Sequence, residues 1–91
     1  MRIESFSHKP LKRFYTQDDA KGLPPECVSK LRNMLAFLQD MDDVGELLTP
    51  PKWKAHKLAG DRAGTWALHV TANWRLTFRV DAENALRDLD L

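Results

Sequence analysis

The chain of 91 residues has one cysteine, Cys27, so no disulfide can close within it and no cysteine-built zinc site is available. It has no apolar run near the roughly 20 residues that span a bilayer. The opening Met1-Arg2-Ile3-Glu4 carries no apolar signal segment. These absences place the expected chain in the cytoplasm, away from any membrane. Four glycines are scattered, with no glycine-rich phosphate loop, and no His/Cys set has metal-ligand spacing. No cofactor or metal is therefore expected. Repeats, low-complexity tracts and linkers are also missing. With 43% hydrophobic and 30% charged residues, the reading is one folded domain over residues 1–91.

Charge is nearly balanced at a formal +1, but it is unevenly placed. Between Lys52 and Val80 stand six basic residues, Lys52, Lys54, Lys57, Arg62, Arg75 and Arg79, against the single acid Asp61. Acids gather at Asp40, Asp42, Asp43 and Glu46, and again at Asp81, Glu83, Asp88 and Asp90. A segregated basic segment can hold phosphates, and a solvated charged face is the plain alternative.

Periodicity orders the elements. Met1 and Ile3 alternate with polar neighbours, which is weak support for a short first strand. Leu11, Phe14 and Tyr15 have the spacing of a brief helix, interrupted by Gly22-Leu23-Pro24-Pro25. The prolines suit the entry to a second helix, whose stripe is Val28, Leu31, Leu35, Leu38 and Met41, widened by Met34 and Phe37. Cys27, near its start, reads as a small core residue rather than a nucleophile. After the turn Thr49-Pro50-Pro51 the period changes to two. Trp66, Leu68 and Val70 form one alternating set, and Trp74, Leu76, Phe78 and Val80 form another. A strand over Lys54 to Leu58 is expected before them, across the loop 60–64, and another over Leu86 to Leu91 after them, with Leu89 and Leu91 completing it. Helices first and consecutive strands later predict an α+β domain with the N-terminal helices packed on one face of an antiparallel sheet.

That arrangement has chemical consequences. Strand alternation puts Arg75 and Arg79 on the face opposite Trp74, Leu76 and Phe78, and His69 joins them if its strand follows the same phase. His56 stands between Lys54 and Lys57, and an imidazole can carry a proton in acid–base catalysis near neutral pH. A structural histidine is the alternative. Arg62 and Arg75 can bind phosphate and stabilise developing charge, or serve as ordinary surface charge. Trp66 and Trp74 fit the core; the role of Trp53 stays open.

Along nearly its whole length the chain resembles the HigB branch of the RelE toxin superfamily. The resemblance rests on Ile3, Ser5-Phe6, His8-Lys9 and Leu11-Lys12 at the opening and on Leu31 and Leu35 in the long helix. Its most specific part is His56, Leu58, Gly60-Asp61-Arg62, Gly64, Trp66 and Asn73-Trp74-Arg75, which stand in family order. It implies a RelE-like fold and the toxin of a type II toxin–antitoxin system. Such a toxin is a ribosome-dependent, metal-independent endoribonuclease acting on messenger RNA. A helix-turn-helix antitoxin would be its partner. By the same resemblance His56 matches an active-site histidine, Arg75 an arginine near the RNA, and Arg62 a recurrent loop position. These three are the catalytic candidates, with Lys54, Lys57, Arg79 and His69 as RNA-binding candidates. Ala59 stands where relatives often have a basic residue, and relatives commonly carry an acidic-aromatic-histidine tail beyond the position of Leu91. A weakened or inactive toxin-like module that binds antitoxin or ribosome is therefore the second reading.

Overall fold

The computed structural model describes residues 1–48, 52–60 and 64–91. The expected turn at Thr49-Pro50-Pro51 lies outside them. Helix α1, Lys9–Gln17, starts where the His8 ring Nδ1 accepts the Leu11 N–H at 3.2 Å, with Pro10 in the first turn. It stops at Asp18, whose left-handed backbone (φ 54°) lets its N–H donate to the Phe14 carbonyl. Gly22 (φ +88°) then turns the chain so closely past Pro10 that a Cβ there would lie 3.2 Å from the proline ring. Helix α2, Pro25–Asp40, opens on a proline as expected and buries Cys27, Leu31, Met34, Leu35 and Leu38. Burial pushes the Cys27 thiol pKa up, in keeping with a packing role. The acids after α2 are local structure. Asp43 and Glu46 form a capping box on the 3-10 turn Val44–Leu47, with the Asp43 carboxylate accepting the Gly45 N–H at 2.7 Å.

Four antiparallel strands follow in the order β1-β2-β3-β4: His56–Lys57, Thr65–His69, Arg75–Val80 and Leu86–Asp90. The strand expected over Lys54 to Leu58 is only two residues long, because Trp53 and Lys54 are both left-handed (φ 49° and 51°) and form a turn closed by Ala55 N–H to the Lys52 carbonyl. In β2 and β3 the phase is as expected. Trp66 faces Phe78 and Leu68 faces Leu76, all in one cluster with Leu11, Leu31, Met34, Leu38 and Leu47 from the helical side. The helices thus seal one face of the sheet. Trp66 is buried, whereas Trp74 is partly buried against the same cluster. Trp53 packs edge-on against Phe37 of α2 at 5.5 Å, so the residue whose role the sequence leaves open is a bracket between its turn and the helix.

The two ends of the chain meet at β4. Ile3 bridges Leu86 and Phe6 bridges Leu89, both in parallel, so the expected first strand is a pair of bridges and not a continuous strand. The cause is a bulge. Thr77 pairs with Asp90 and Arg79 with Arg87, which sets three steps on β4 against two on β3. Asp88 absorbs the extra residue in a left-handed conformation (φ 57°), and its N–H donates to Ser5 Oγ at 2.9 Å. The buried pair is therefore Leu86 and Leu89, three apart and both 0% exposed. Leu89 lies in β4 as expected, whereas Leu91, expected to complete the strand with it, follows the strand's last residue and is only partly buried.

Accordingly, Leu89→Ala should destabilise the fold by about 2–5 kcal/mol and Leu91→Ala by much less. Urea midpoints of the two variants check this; equal shifts would mean that β4 runs without the bulge.

Candidate functional site

The open face of the sheet is defined by register. On β2 it shows Thr65, Ala67 and His69, which lie opposite Arg79, Thr77 and Arg75 of β3. His56 pairs with Ala67, which puts its ring on this face as well, diagonal to His69. Ala67 is small and fully buried under its neighbours, a low floor between flanking side chains. The His56 and His69 rings stand with centroids 6.2 Å apart, and Arg75 is the cross-strand partner of His69. Three candidates thirteen or more residues from one another or on different strands thus form one cluster, His56, His69 and Arg75.

Each member is held by identifiable contacts. His56 Nδ1 lies 2.9 Å from the Lys54 carbonyl. A carbonyl only accepts, so Nδ1 carries the proton and Nε2 is left with a lone pair in the neutral ring. The left-handed turn at Trp53 and Lys54 brings that carbonyl back to the ring, and two non-glycine residues in this region are a local backbone strain. The same turn also holds β2, with His69 N–H donating to the Trp53 carbonyl at 2.8 Å. His69 is half-buried, and its pKa is lowered first by that desolvation and then by the positive charges of Arg75, Lys54 and His56.

The remaining candidates divide. Lys54 is exposed and acts electrostatically on His69, so it belongs to the cluster. Lys57 pairs with Trp66 and so points to the other side of the sheet, its Nζ 5.5 Å from the Trp66 ring centroid. The two lysines that flank His56 in sequence are thus split between faces. Arg79 is on the open face but engaged by Asp88, with Nε and a terminal nitrogen each 2.7 Å from Oδ2. Arg87 is likewise paired with Asp81 at 2.5 Å, and that hydrogen bond leads the causes that hold the Asp81 carboxyl down at about 2. No carboxylate among the described residues pairs with Arg75. Arg62 lies outside the described residues. His8 is far from the cluster in role, as the cap of α1. Among the described residues no group of three or more His, Cys, Asp or Glu could hold a metal ion. Sequence reasoning gave Asp88 and Ser5 no part in the site, because only the bulge brings Asp88 to Arg79 and to Ser5.

The fold and this constellation can be set beside known proteins. Residues 4–91 match the profile of the HigB-like toxins, described as the RelE-like toxin of type II toxin–antitoxin system HigB. The chain belongs to the HigB-like toxin family. It is 38% identical over 77 residues to endoribonuclease HigB of Proteus vulgaris, covering 85% of this chain and 83% of that protein. Its fold is also that of more distant toxins. The YoeB/ParE toxin from Agrobacterium tumefaciens superposes with a TM-score of 0.58 at 18% identity, over 100% of this chain and 98% of that one. A heterotetrameric YoeB–YefM toxin–antitoxin complex from Staphylococcus aureus contains a chain that does so with a TM-score of 0.59 at 20% identity, with the same coverage. This HigB-like chain therefore has the RelE-like α+β architecture, with two helices against a four-stranded antiparallel sheet. No helix among the described residues is long and apolar enough to cross a membrane.

His69 should titrate below the ordinary histidine value of about 6.5, and Arg75→Ala should raise its midpoint. The sign for stability follows: a folded value below the unfolded one favours the fold while the ring is neutral, and this contribution is lost as pH falls through the folded midpoint. Two-dimensional NMR titration of the ring resonances measures both midpoints; a His69 midpoint at or above that of a model peptide would contradict the assigned surroundings.

Proposed function

We propose that this HigB-like toxin is an endoribonuclease that blocks translation by cutting messenger RNA on the ribosome. The observation that carries the reading is the convergence of His56, His69 and Arg75 on the one sheet face that the helices leave open. Attack of a ribose 2′-hydroxyl on the adjacent phosphate needs proton transfer and a cation for the developing charge, and these groups supply both without a metal. His56 transfers a proton. Arg75 stabilises phosphate charge, free of a carboxylate among the described residues, and Arg62 is assigned to assist it. Lys54, Lys57, Arg79 and His69 are assigned to the RNA, with Lys54 nearest the reacting phosphate and Lys57 towards the sheet edge. Arg79 must exchange its Asp88 partner for a phosphate, or bind through the nitrogen that Asp88 leaves free. The toxin acts in the cytoplasm, and a helix-turn-helix antitoxin neutralises it. The family membership, the named activity of the Proteus vulgaris relative and the toxin–antitoxin complex of the Staphylococcus aureus neighbour support this reading.

Primer extension on messenger RNA translated by programmed ribosomes should reveal discrete cuts that survive EDTA at levels leaving ribosomes intact. His56→Ala should lower the rate by about 10²–10⁴-fold and Arg75→Ala by about 10²–10³-fold. A folded chain that binds antitoxin or ribosome without cutting would make it a binding module instead.

Lys54→Glu should weaken ribosome association more than Lys57→Glu, and added salt should mimic it. Sedimentation with ribosomes across a salt series measures this; equal effects of the two substitutions would remove the distinction between the faces.

A further inference from the structure

The cluster holds two imidazoles, and the function above uses one of them for proton transfer. Transesterification of a phosphodiester moves two protons, one off the nucleophile and one onto the leaving oxygen. Their donor and acceptor must both touch the same phosphodiester, each at a hydrogen-bond length of about 3 Å. A centroid separation of 6.2 Å is too long for the rings to bond one another and short enough for one phosphodiester lying across both to reach each of them. Resting on the endoribonuclease reading, we propose that His69 is the second proton-transfer group of this site, a general base working opposite His56 as the general acid.

The geometry distinguishes the two roles. His56 gives its Nδ1–H to the Lys54 carbonyl, which holds the ring and leaves Nε2 as the nitrogen that can pass a proton to a leaving oxygen. His69 has different surroundings. The charged or titratable groups that act on it are Arg75 from β3 and Lys54 and His56 from the β1 segment, all of them cationic or able to become so. Partial burial first, and these charges after it, favour the neutral ring, which is the form a base must have. The lowered pKa of His69 agrees with this assignment. Two like groups with environments that differ in this way are how a site separates an acid from a base.

The step balances without an outside reactant. His69 takes the proton of the 2′-hydroxyl as its oxygen forms a bond to phosphorus. The bond from phosphorus to the 5′-oxygen breaks, and His56 delivers a proton to that oxygen. The products are a 2′,3′-cyclic phosphate and a 5′-hydroxyl, and the two histidines have exchanged protonation states. Arg75, beside His69 in the register, neutralises charge on the non-bridging oxygens.

The test uses the full chain on programmed ribosomes, with messenger RNA carrying either the natural linkage or a single 5′-bridging sulfur at the cleaved position. A thiolate leaves without a proton, so that substrate bypasses the acid. On the natural linkage His69→Ala and His69→Gln should each lower the rate by about 10²–10⁴-fold and abolish the acidic limb of the pH–rate profile. The sulfur linkage should restore cleavage by His56→Ala but not by the His69 variants. His69→Gln keeps the side-chain volume, and matched thermal midpoints exclude a folding defect. Cleavage by the folded His69 variants at near wild-type rate would overturn the inference while the defects of His56→Ala and Arg75→Ala left the endoribonuclease reading standing. Rescue of the His69 variants by sulfur would overturn the base assignment. A wild-type chain that cuts neither linkage would overturn both.

Discussion

The helices can lie on only one side of the sheet, and that side must receive every large apolar side chain of β2 and β3. Leu68, Leu76 and Phe78 are completely enclosed there, and Trp66 nearly so. Sliding either strand by one residue would exchange this set for Thr65, Ala67, His69, Arg75, Thr77 and Arg79, and would place two guanidinium groups against Leu31 and Leu38 without partners. The penalty fixes the register. It fixes the open face with it, since the residues that cannot go inward are those that could meet a phosphate. In this fold the core and the candidate site are one choice, made on two sides of the same strands.

The third member of the cluster arrives by a different route. β1 is an edge of two residues, too short for its own pairing to place His56 firmly. The segment before it does that work. Two consecutive left-handed residues turn the backbone sharply, Trp53 braces the turn on Phe37 of α2, and the Trp53 and Lys54 carbonyls reach His69 N–H and the His56 ring. Left-handed backbone in residues with a Cβ costs about 1–3 kcal/mol each. Packing on α2 and the β2 hydrogen bonds offset that cost, and the result is a histidine whose tautomer is set by the backbone rather than by a side chain that could itself titrate.

On the far side of the face, the bulge at Asp88 couples the chain opening to the charge pattern. Ser5 accepts the Asp88 N–H, and the Asp88 carboxylate takes both the Arg79 side chain and a longer contact with the Ser5 hydroxyl at 3.5 Å. Arg79 and Arg87 are cross-strand neighbours with like charge, and each is balanced by its own acid, Asp88 and Asp81. Positive potential is thereby concentrated around Arg75 and Lys54 instead of being spread along the whole of β3.

The amino-acid sequence by itself determined the class of fold, the two helices, the phase of β2 and β3, and the exposure of Arg75 and Arg79. These rest on periodicities of a few residues, and the burial of one face decides them wherever the chain is long enough to show the pattern. The family was legible too, in the ordered set from His56 to Arg75. Other features needed the tertiary structure, because each depends on residues far apart in the chain. Lys54 and Lys57 look equivalent beside His56, yet the pairing of β1 with β2 sends Lys57 to Trp66 and leaves Lys54 near His69. The spacing of Leu86 and Leu89 fits no strand period until Ser5 and Asp88 make a bulge. Arg79 reads as a free cation until that bulge supplies its carboxylate. The approach of His56 to His69 is likewise a diagonal contact between strands, set by register and invisible to any local pattern.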